Sequence, residues 1–142
     1  MRKFLIAVLA AMTVSMAWAD NMPRRFSWNS DLRPYVAWIA ANTRFDRALE
    51  VTSDEIPEVQ FLTGIDYMNT VRVWGVAAYS PLVNVIVVNM DMDGNHADVM
   101  VHELIHFYQW RTDGWTRGTY ESREREAQAI QRQFLKQYPR LP

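Results

Sequence analysis

The chain has 142 residues, of which 49% are hydrophobic and 22% are charged, and its 15 Lys and Arg nearly balance its 16 Asp and Glu. This length suits one domain, and this apolar content excludes a disordered chain. A formal net charge of −1 provides no excess of basic side chains for a phosphate backbone. We therefore expect no nucleic-acid partner.

The first 19 residues have the three parts of a secretory signal peptide. Arg2 and Lys3 are basic, Phe4 to Met16 is almost wholly apolar, and Ala17-Trp18-Ala19 places small residues at the cleavage positions. Cleavage before Asp20 would remove 19 of the 142 residues and two of the 15 basic side chains, which leaves 123 residues with a net charge of −3. We expect an exported protein, periplasmic or secreted, with no membrane anchor after cleavage.

Small exported domains commonly depend on disulfides, yet this chain contains no cysteine. The same absence excludes a lipid anchor on an N-terminal cysteine. Six Trp, six Tyr and six Phe offer a large area for burial instead. A bound metal would be a second source of stability.

The predicted elements begin after a polar, proline-containing stretch over residues 20–30, which we expect to be an exposed arm before one domain over residues 31–142. Apolar residues at three- and four-residue spacing predict a helix from about Leu32 to Asn42, with Asp31 as its cap. Glu58 to Leu62 reads as a short strand. Gly64 to Asn69 reads as a turn region.

The second half of the chain predicts a hairpin followed by two helices. The β-branched runs Val71–Tyr79 and Val83–Val88 flank the turn Ser80-Pro81-Leu82. Helices are expected from about Asn95 to Trp110 and from about Thr119 to Gln137. This order predicts an α+β fold with a small mixed sheet.

The segment His102-Glu103-Leu104-Ile105-His106 carries the chemistry. Histidines four residues apart stand one turn above the other on a helix, so both imidazoles can reach one zinc ion. Glu103 projects about 100° away and can accept a proton from the attacking water. Zinc supplies a Lewis acid for amide hydrolysis, and Glu103 returns the proton to the leaving amine.

Such a site needs a third protein ligand. His96 lies six residues before His102, which turns it some 120° away on a helix. On the last helix, Glu126 falls about 40° from the apolar position Ile130, whereas Glu124 is about 120° away from it. A buried carboxylate is costly without a partner, so Glu126 is the predicted zinc ligand. Glu121 and Glu124 are predicted to be solvated or to support the ligands.

The pair of motifs His102-Glu103-x-x-His106 and Glu126-Ala127 resembles that of the gluzincins, the thermolysin-like branch of the zincin metallopeptidases. The resemblance implies a zincin-like α+β fold, one zinc held by His102, His106 and Glu126, and Glu103 as general base. It further implies an edge strand that pairs with an extended peptide or protein substrate. The chain departs from metzincins, which have a further histidine motif, and from thermolysin, which has a large C-terminal helical domain.

Other side chains are candidates for supporting roles. Gln109 lies three residues after His106 and could orient a ligand. Tyr120, Tyr108 and Tyr79 could stabilise an oxyanion, although aromatic packing is the better interpretation of each. A looser similarity connects Gln109 and Gln131 with small secreted or phage-associated proteins whose helices read His-Glu-x-x-His-x-x-Gln and Glu-Ala-x-x-x-Gln.

Two further segments, before the histidine helix, have recognisable local patterns. Asn89-x-Asp91-x-Asp93-Gly94 matches the first half of a calcium loop, but Met100 stands where that loop needs its bidentate glutamate, so a turn before a helix is the better interpretation. Gly75 to Tyr79 is the candidate substrate-pairing edge strand.

The sequence thus favours an exported zinc metallopeptidase. The alternative is a zinc-binding zincin-fold protein without catalysis that serves as a binding module in the cell envelope. The intact Glu103 favours the enzyme, because loss of that carboxylate is the usual mark of an inactive site. A metal-storage module is disfavoured, since the chain has no further cluster of metal-binding residues.

Overall fold

A computed structural model of the chain describes residues 32–45, 50–92 and 96–137, without the side chain of His96. The predicted signal peptide, the arm over 20–30 and the cap Asp31 lie outside this part, as do Asp93 and Gly94 of the calcium-like loop. The protein is α+β, with four helices and a three-stranded mixed sheet in the described residues. In chain order the elements are α1 (Arg33–Asn42), β1 (Glu58–Leu62), α2 (Gly64–Val71), β2 (Ala77–Ser80), β3 (Val85–Asn89), α3 (His96–Asp113) and α4 (Tyr120–Gln137).

β3 is the central strand of the sheet, whose order is β1-β3-β2. It runs parallel to β1, with Gln60 opposite Val87, and antiparallel to β2, with Tyr79 opposite Ile86. All five of its residues are buried. A strand covered on both faces requires a continuous apolar run rather than alternation, which is why the sequence reads Val-Ile-Val-Val here.

Each face of the sheet has its own apolar layer. Val85 and Val87 pack on one side with Leu62 and with Tyr67 of α2. Ile86 and Val88 point to the other side and join the larger core cluster. The large cluster also takes in the aromatic and aliphatic residues of three helices: Trp38 and Ile39 from α1, Val101, Leu104 and Phe107 from α3, and Ala127 and Phe134 from α4.

The turn predicted at Gly64–Asn69 is wrong, since this segment begins helix α2. The Thr63 hydroxyl donates to Asp66 in the first turn (3.1 Å), and the Gly64 amide donates to the Asp91 carboxylate (2.8 Å). A Cβ on Gly64 would lie 2.7 Å from Asp91 Oδ2. Glycine is therefore required here for a close approach at a helix start, not for a turn.

The hairpin prediction is confirmed, but its first strand is shorter than expected. β2 begins at Ala77, not at Val71. Arg72 caps α2 in the left-handed conformation (φ 62°), which an extended strand does not accommodate. The first helix, the first strand and the last two helices lie within a few residues of their predicted bounds.

Candidate metal centre

The two histidines of α3 face the same point. Their ring centroids lie 4.9 Å apart, and His102 Nε2 and His106 Nε2 are separated by 3.1 Å. Their side chains are only 16% and 13% exposed. The four-residue spacing predicted this juxtaposition, and the structure places it at the junction of α3 with α4.

Glu124 of α4 completes the cluster. Its Oε2 lies 3.4 Å from His102 Nε2, and its Oε1 lies 3.0 Å from His106 Nε2. Ligand atoms of these three side chains all lie within 4.8 Å of one another, so the group could hold a metal ion. Among the described residues this is the group of histidine and acidic side chains with that property.

The predicted third ligand, Glu126, does not lie in this cluster. Its carboxylate receives both Nε and Nη2 of Arg44, the latter at 2.9 Å, and also Gln109 Nε2 at 3.0 Å. Hydrogen bonding to Arg44 holds the pKa of Glu126 below its usual range. The half-buried carboxylate of Glu126 is thus stabilised by the guanidinium of Arg44 rather than by a metal.

Helix rotation explains the exchange of the two glutamates. The residues of α4 that are most deeply buried are Ala127 and Phe134, whereas Ile130 is only partly buried. Glu124 precedes Ala127 by three positions, and Gln131 lies between Ala127 and Phe134. The four residues therefore form one stripe with spacings of three, four and three. Taking Ile130 as the centre of the core face pointed to Glu126, whereas the structure places Glu124 beside the two histidines.

Each histidine is held from behind by a glutamine. His106 Nδ1 lies 2.9 Å from Gln109 Oε1, and His102 Nδ1 lies 3.2 Å from Gln131 Oε1. The amide nitrogens of the two glutamines donate to carboxylates: Gln109 to Glu126 (3.0 Å) and Gln131 to Asp98 (2.8 Å). Two short chains, histidine to glutamine to carboxylate, therefore lead away from the cluster.

These chains determine the tautomer of both rings. Because each glutamine nitrogen faces a carboxylate, its amide oxygen must face the imidazole, and an oxygen acceptor requires a proton on Nδ1. The lone pair of each neutral ring is then on Nε2. Burial, together with the neighbouring His106, lowers the pKa of His102 and so favours its neutral form.

With both rings neutral, the cluster presents only hydrogen-bond acceptors to its centre. Two Nε2 lone pairs 3.1 Å apart and two carboxylate oxygens within 3.4 Å of them would then repel one another. A metal ion between these atoms would turn the repulsion into coordination. Two imidazoles and one carboxylate are a ligand set that zinc accepts, with the further position left for water or substrate.

Glu103 lies beside this cluster but belongs to the sheet side of α3. It is 6% exposed, and its Oε2 accepts a hydrogen bond from the Tyr79 amide at 2.7 Å. Burial raises the pKa of Glu103 to about 8, and the charge of Glu124 acts in the same direction. The carboxylate of Glu103 is therefore fixed by β2 and lies within electrostatic range of Glu124.

β2 leaves part of its backbone free along the outer edge of the sheet. Asn89 N donates to Val76 O (2.8 Å), and hydrogen-bonded pairs alternate along an antiparallel ladder. Ala78 and Ser80 therefore bond to β3, whereas the amides and carbonyls of Ala77 and Tyr79 point outward. The Tyr79 amide donates to the Glu103 carboxylate. This hydrogen bond connects the predicted edge strand directly with the predicted base.

Of the tyrosines considered from the sequence, Tyr120 is the one near the cluster. It is 67% exposed, and burial, the charge of Glu124 and a hydrogen bond to that carboxylate raise its pKa. Tyr79 donates instead to Asn84 Oδ1 (3.1 Å), and its ring packs on Phe107. Tyr108 is 1% exposed and stacks on Phe45.

Sequence reasoning missed three residues of the site. Gln131 enters the sequence analysis only through a motif similarity. The spacing of Glu124 and Gln131 around Ala127 on α4 is the signal that could have identified these two polar residues. Asp98 and Arg44 hold the outer ends of the two chains. Arg44 is 82 residues from Glu126 in sequence, so no local pattern connects them.

Comparisons with protein-family models, with curated proteins and with solved structures give no match for this chain. None of the helices in the described residues is both long and apolar enough to cross a membrane.

Proposed function

We propose that this protein is a metal-dependent hydrolase, namely an exported zinc metallopeptidase, with His102, His106 and Glu124 as ligands and Glu103 as general base. One observation carries the proposal: two Nε2 lone pairs and a carboxylate, each with its orientation fixed, converge within 3.4 Å. Zinc is proposed because a ligand set of two imidazoles and one carboxylate suits it and leaves a position for chemistry.

Zinc in such a site supplies a Lewis acid that polarises a carbonyl and makes water more acidic. Glu103 is adjacent in sequence to the proposed ligand His102, and its Oε1 is not the oxygen that accepts the Tyr79 amide. In the proposed reaction Oε1 accepts a proton from the attacking water and returns it to the leaving nitrogen. The Tyr79 amide keeps the carboxylate in place while the proton moves.

The proposed substrate is an extended peptide. The outward amide and carbonyl of Ala77 and the outward carbonyl of Tyr79 form the edge on which an added strand would hydrogen-bond. The amide of Tyr79 is bound to Glu103. A peptide along this edge would therefore pass beside the base. Tyr120, whose hydroxyl bonds to Glu124, is the candidate for contacting the oxyanion.

The test compares wild type with Glu103→Gln. Glutamine keeps the acceptor for the Tyr79 amide but cannot accept a proton. We expect about one zinc per chain in both proteins by elemental analysis, and cleavage of a mixed peptide library, read by mass spectrometry, by wild type alone. Glu121→Gln is the matched control, since this exposed glutamate lies one turn before Glu124, and it should cleave like wild type.

The outcomes separate the candidate functions. Stoichiometric zinc with cleavage by wild type but not by Glu103→Gln supports the peptidase. Zinc in both proteins with no cleavage of any peptide contradicts it and leaves the alternative, a zinc-binding envelope module without catalysis. The absence of tightly bound metal would remove both.

A further inference from the structure

A polar cavity lies on the side of Gln109 that faces away from His106. It has a volume of about 370 Å³ and is bordered by three arginines and two acids: Arg44, Arg117, Arg123, Asp113 and Glu126. Gln109 forms part of the wall. The three elements that meet here are the segment after α1, the end of α3 and the start of α4.

Two of the three guanidinium groups are held in place. Arg44 is bound through Nε and Nη2 to Glu126 and lies over the ring of Phe45, 4.3 Å from its centroid. Arg123 donates through Nη1 to the carbonyls of Trp115 (3.2 Å), Arg117 (3.4 Å) and Gly118 (3.4 Å). Arg44 Nη1 and the Nε and Nη2 groups of Arg123 have no hydrogen-bond acceptor among the described residues.

The charges around the cavity do not cancel. Arg44 neutralises Glu126, but the carbonyl partners of Arg123 are neutral and leave its charge intact. Arg117 is exposed and forms no ion pair within the described part of the chain. Against these two positive charges stands Asp113, whose Oδ1 accepts the Trp115 amide (2.9 Å). Among the described residues that border the cavity, one positive charge is left over.

We propose that this cavity binds a small ligand through an oxyanion group, a carboxylate or a phosphate. Guanidinium groups with open N–H pairs bind planar or tetrahedral oxyanions through two bonds at once. The volume reaches the lower end of the range of small-molecule sites, so it admits an acidic metabolite or an acidic side chain. The excess of positive charge matches an anionic ligand. This site goes beyond the proposed hydrolase and does not depend on it.

The experiment measures binding to the protein as purified, with its metal content determined by elemental analysis, at constant ionic strength in chloride. Isothermal titration with glutarate and, separately, with inorganic phosphate distinguishes the two oxyanions, and uncharged glutaramide is the ligand control. Arg117→Gln removes one guanidinium from the rim without disturbing a described contact. Arg125→Gln is the matched control, because this exposed arginine of α4 does not border the cavity.

We expect saturable binding of at least one of the two anions, weaker by about fivefold in Arg117→Gln, on the scale of a partly solvated charge-assisted bond. Arg125→Gln and glutaramide should show, respectively, wild-type affinity and no binding. Backbone amide shifts of Gly118 and Arg123 on titration would place the ligand in the cavity. The absence of saturable binding below roughly 10 mM for both anions, or an equal effect of the two arginine variants, would overturn the proposal. Since Arg117 and Arg125 both lie outside the metal cluster, the comparison of the two variants stands whether or not the hydrolase proposal holds.

Discussion

Replacing Glu124 by glutamine removes the single carboxylate of the metal cluster while leaving the volume of the side chain nearly unchanged. The loss of zinc affinity is expected to be smaller for a residue that reaches the metal only through hydrogen bonds to a ligand than for a ligand itself. Glu124 would be a direct ligand, Gln109 acts through His106, and Glu126 acts through Gln109. Changes one bond away from a metal ligand typically cost about 10- to 100-fold in affinity.

We therefore expect a graded series. Glu124→Gln should weaken zinc binding by more than about 100-fold, which corresponds to roughly 2.7 kcal/mol or more. Gln109→Leu should fall between about 10- and 100-fold, and Glu126→Gln should stay below about tenfold. Competition with a chromophoric chelator gives all three constants, and circular dichroism checks that the helices persist. A larger loss in Glu126→Gln than in Glu124→Gln would refute the assignment of the third ligand.

Three further predictions concern stability. Burial raises the folded-state pKa of Glu103 from its usual 4.5 to about 8, so the folded protein keeps this proton after the unfolded chain has lost it. The metal-free protein should therefore lose stability as the pH rises from 4.5 to 8. Glu103→Gln should escape this loss, by up to roughly 5 kcal/mol in urea unfolding, and parallel pH profiles would contradict the reasoning. Phe134 is 3% exposed and packs against Trp38 at 5.0 Å, so Phe134→Ala should cost about 3–5 kcal/mol in the same assay, whereas a cost below about 1 kcal/mol would argue against this packing. Asn89 is fully buried and donates to the Gly75 carbonyl (3.1 Å), so Asn89→Ala should cost about 1–3 kcal/mol, and a neutral effect would mean that water replaces the amide.

The sequence predicted those parts of the fold whose cause is local. The β-branched run Val83–Val88 implied a strand, and the structure places Val85–Asn89 at the centre of the sheet with both faces covered. Gly64 implied a turn, and the structure shows a helix start instead. The reason is the Asp91 carboxylate, which approaches Gly64 from 27 residues further along the chain.

In the candidate site, too, the features with a local cause were predictable and those that depend on distant residues were not. His102, Glu103 and His106 lie on one helix, so their spacing alone fixes their relative positions. Which carboxylate lies beside the two histidines depends on how α4 rotates against α3, and that rotation follows from the burial of Ala127 and Phe134 rather than of Ile130. Glu126 was chosen because a carboxylate near the core needs a partner. The partner exists, but it is Arg44, which the sequence gives no means of placing beside α4.

The absence of cysteine gives the metal cluster a structural meaning as well. One series of hydrogen bonds leads from His102 through Gln131 of α4 to Asp98 of α3. The other leads from His106 through Gln109 and Glu126 to Arg44, which follows α1. A cation at the centre would therefore connect three segments that no disulfide can join. Without one, the repulsion among the two lone pairs and Glu124 acts directly at the contact between α3 and α4. In this protein, metal occupancy and the packing of the last two helices should rise and fall together.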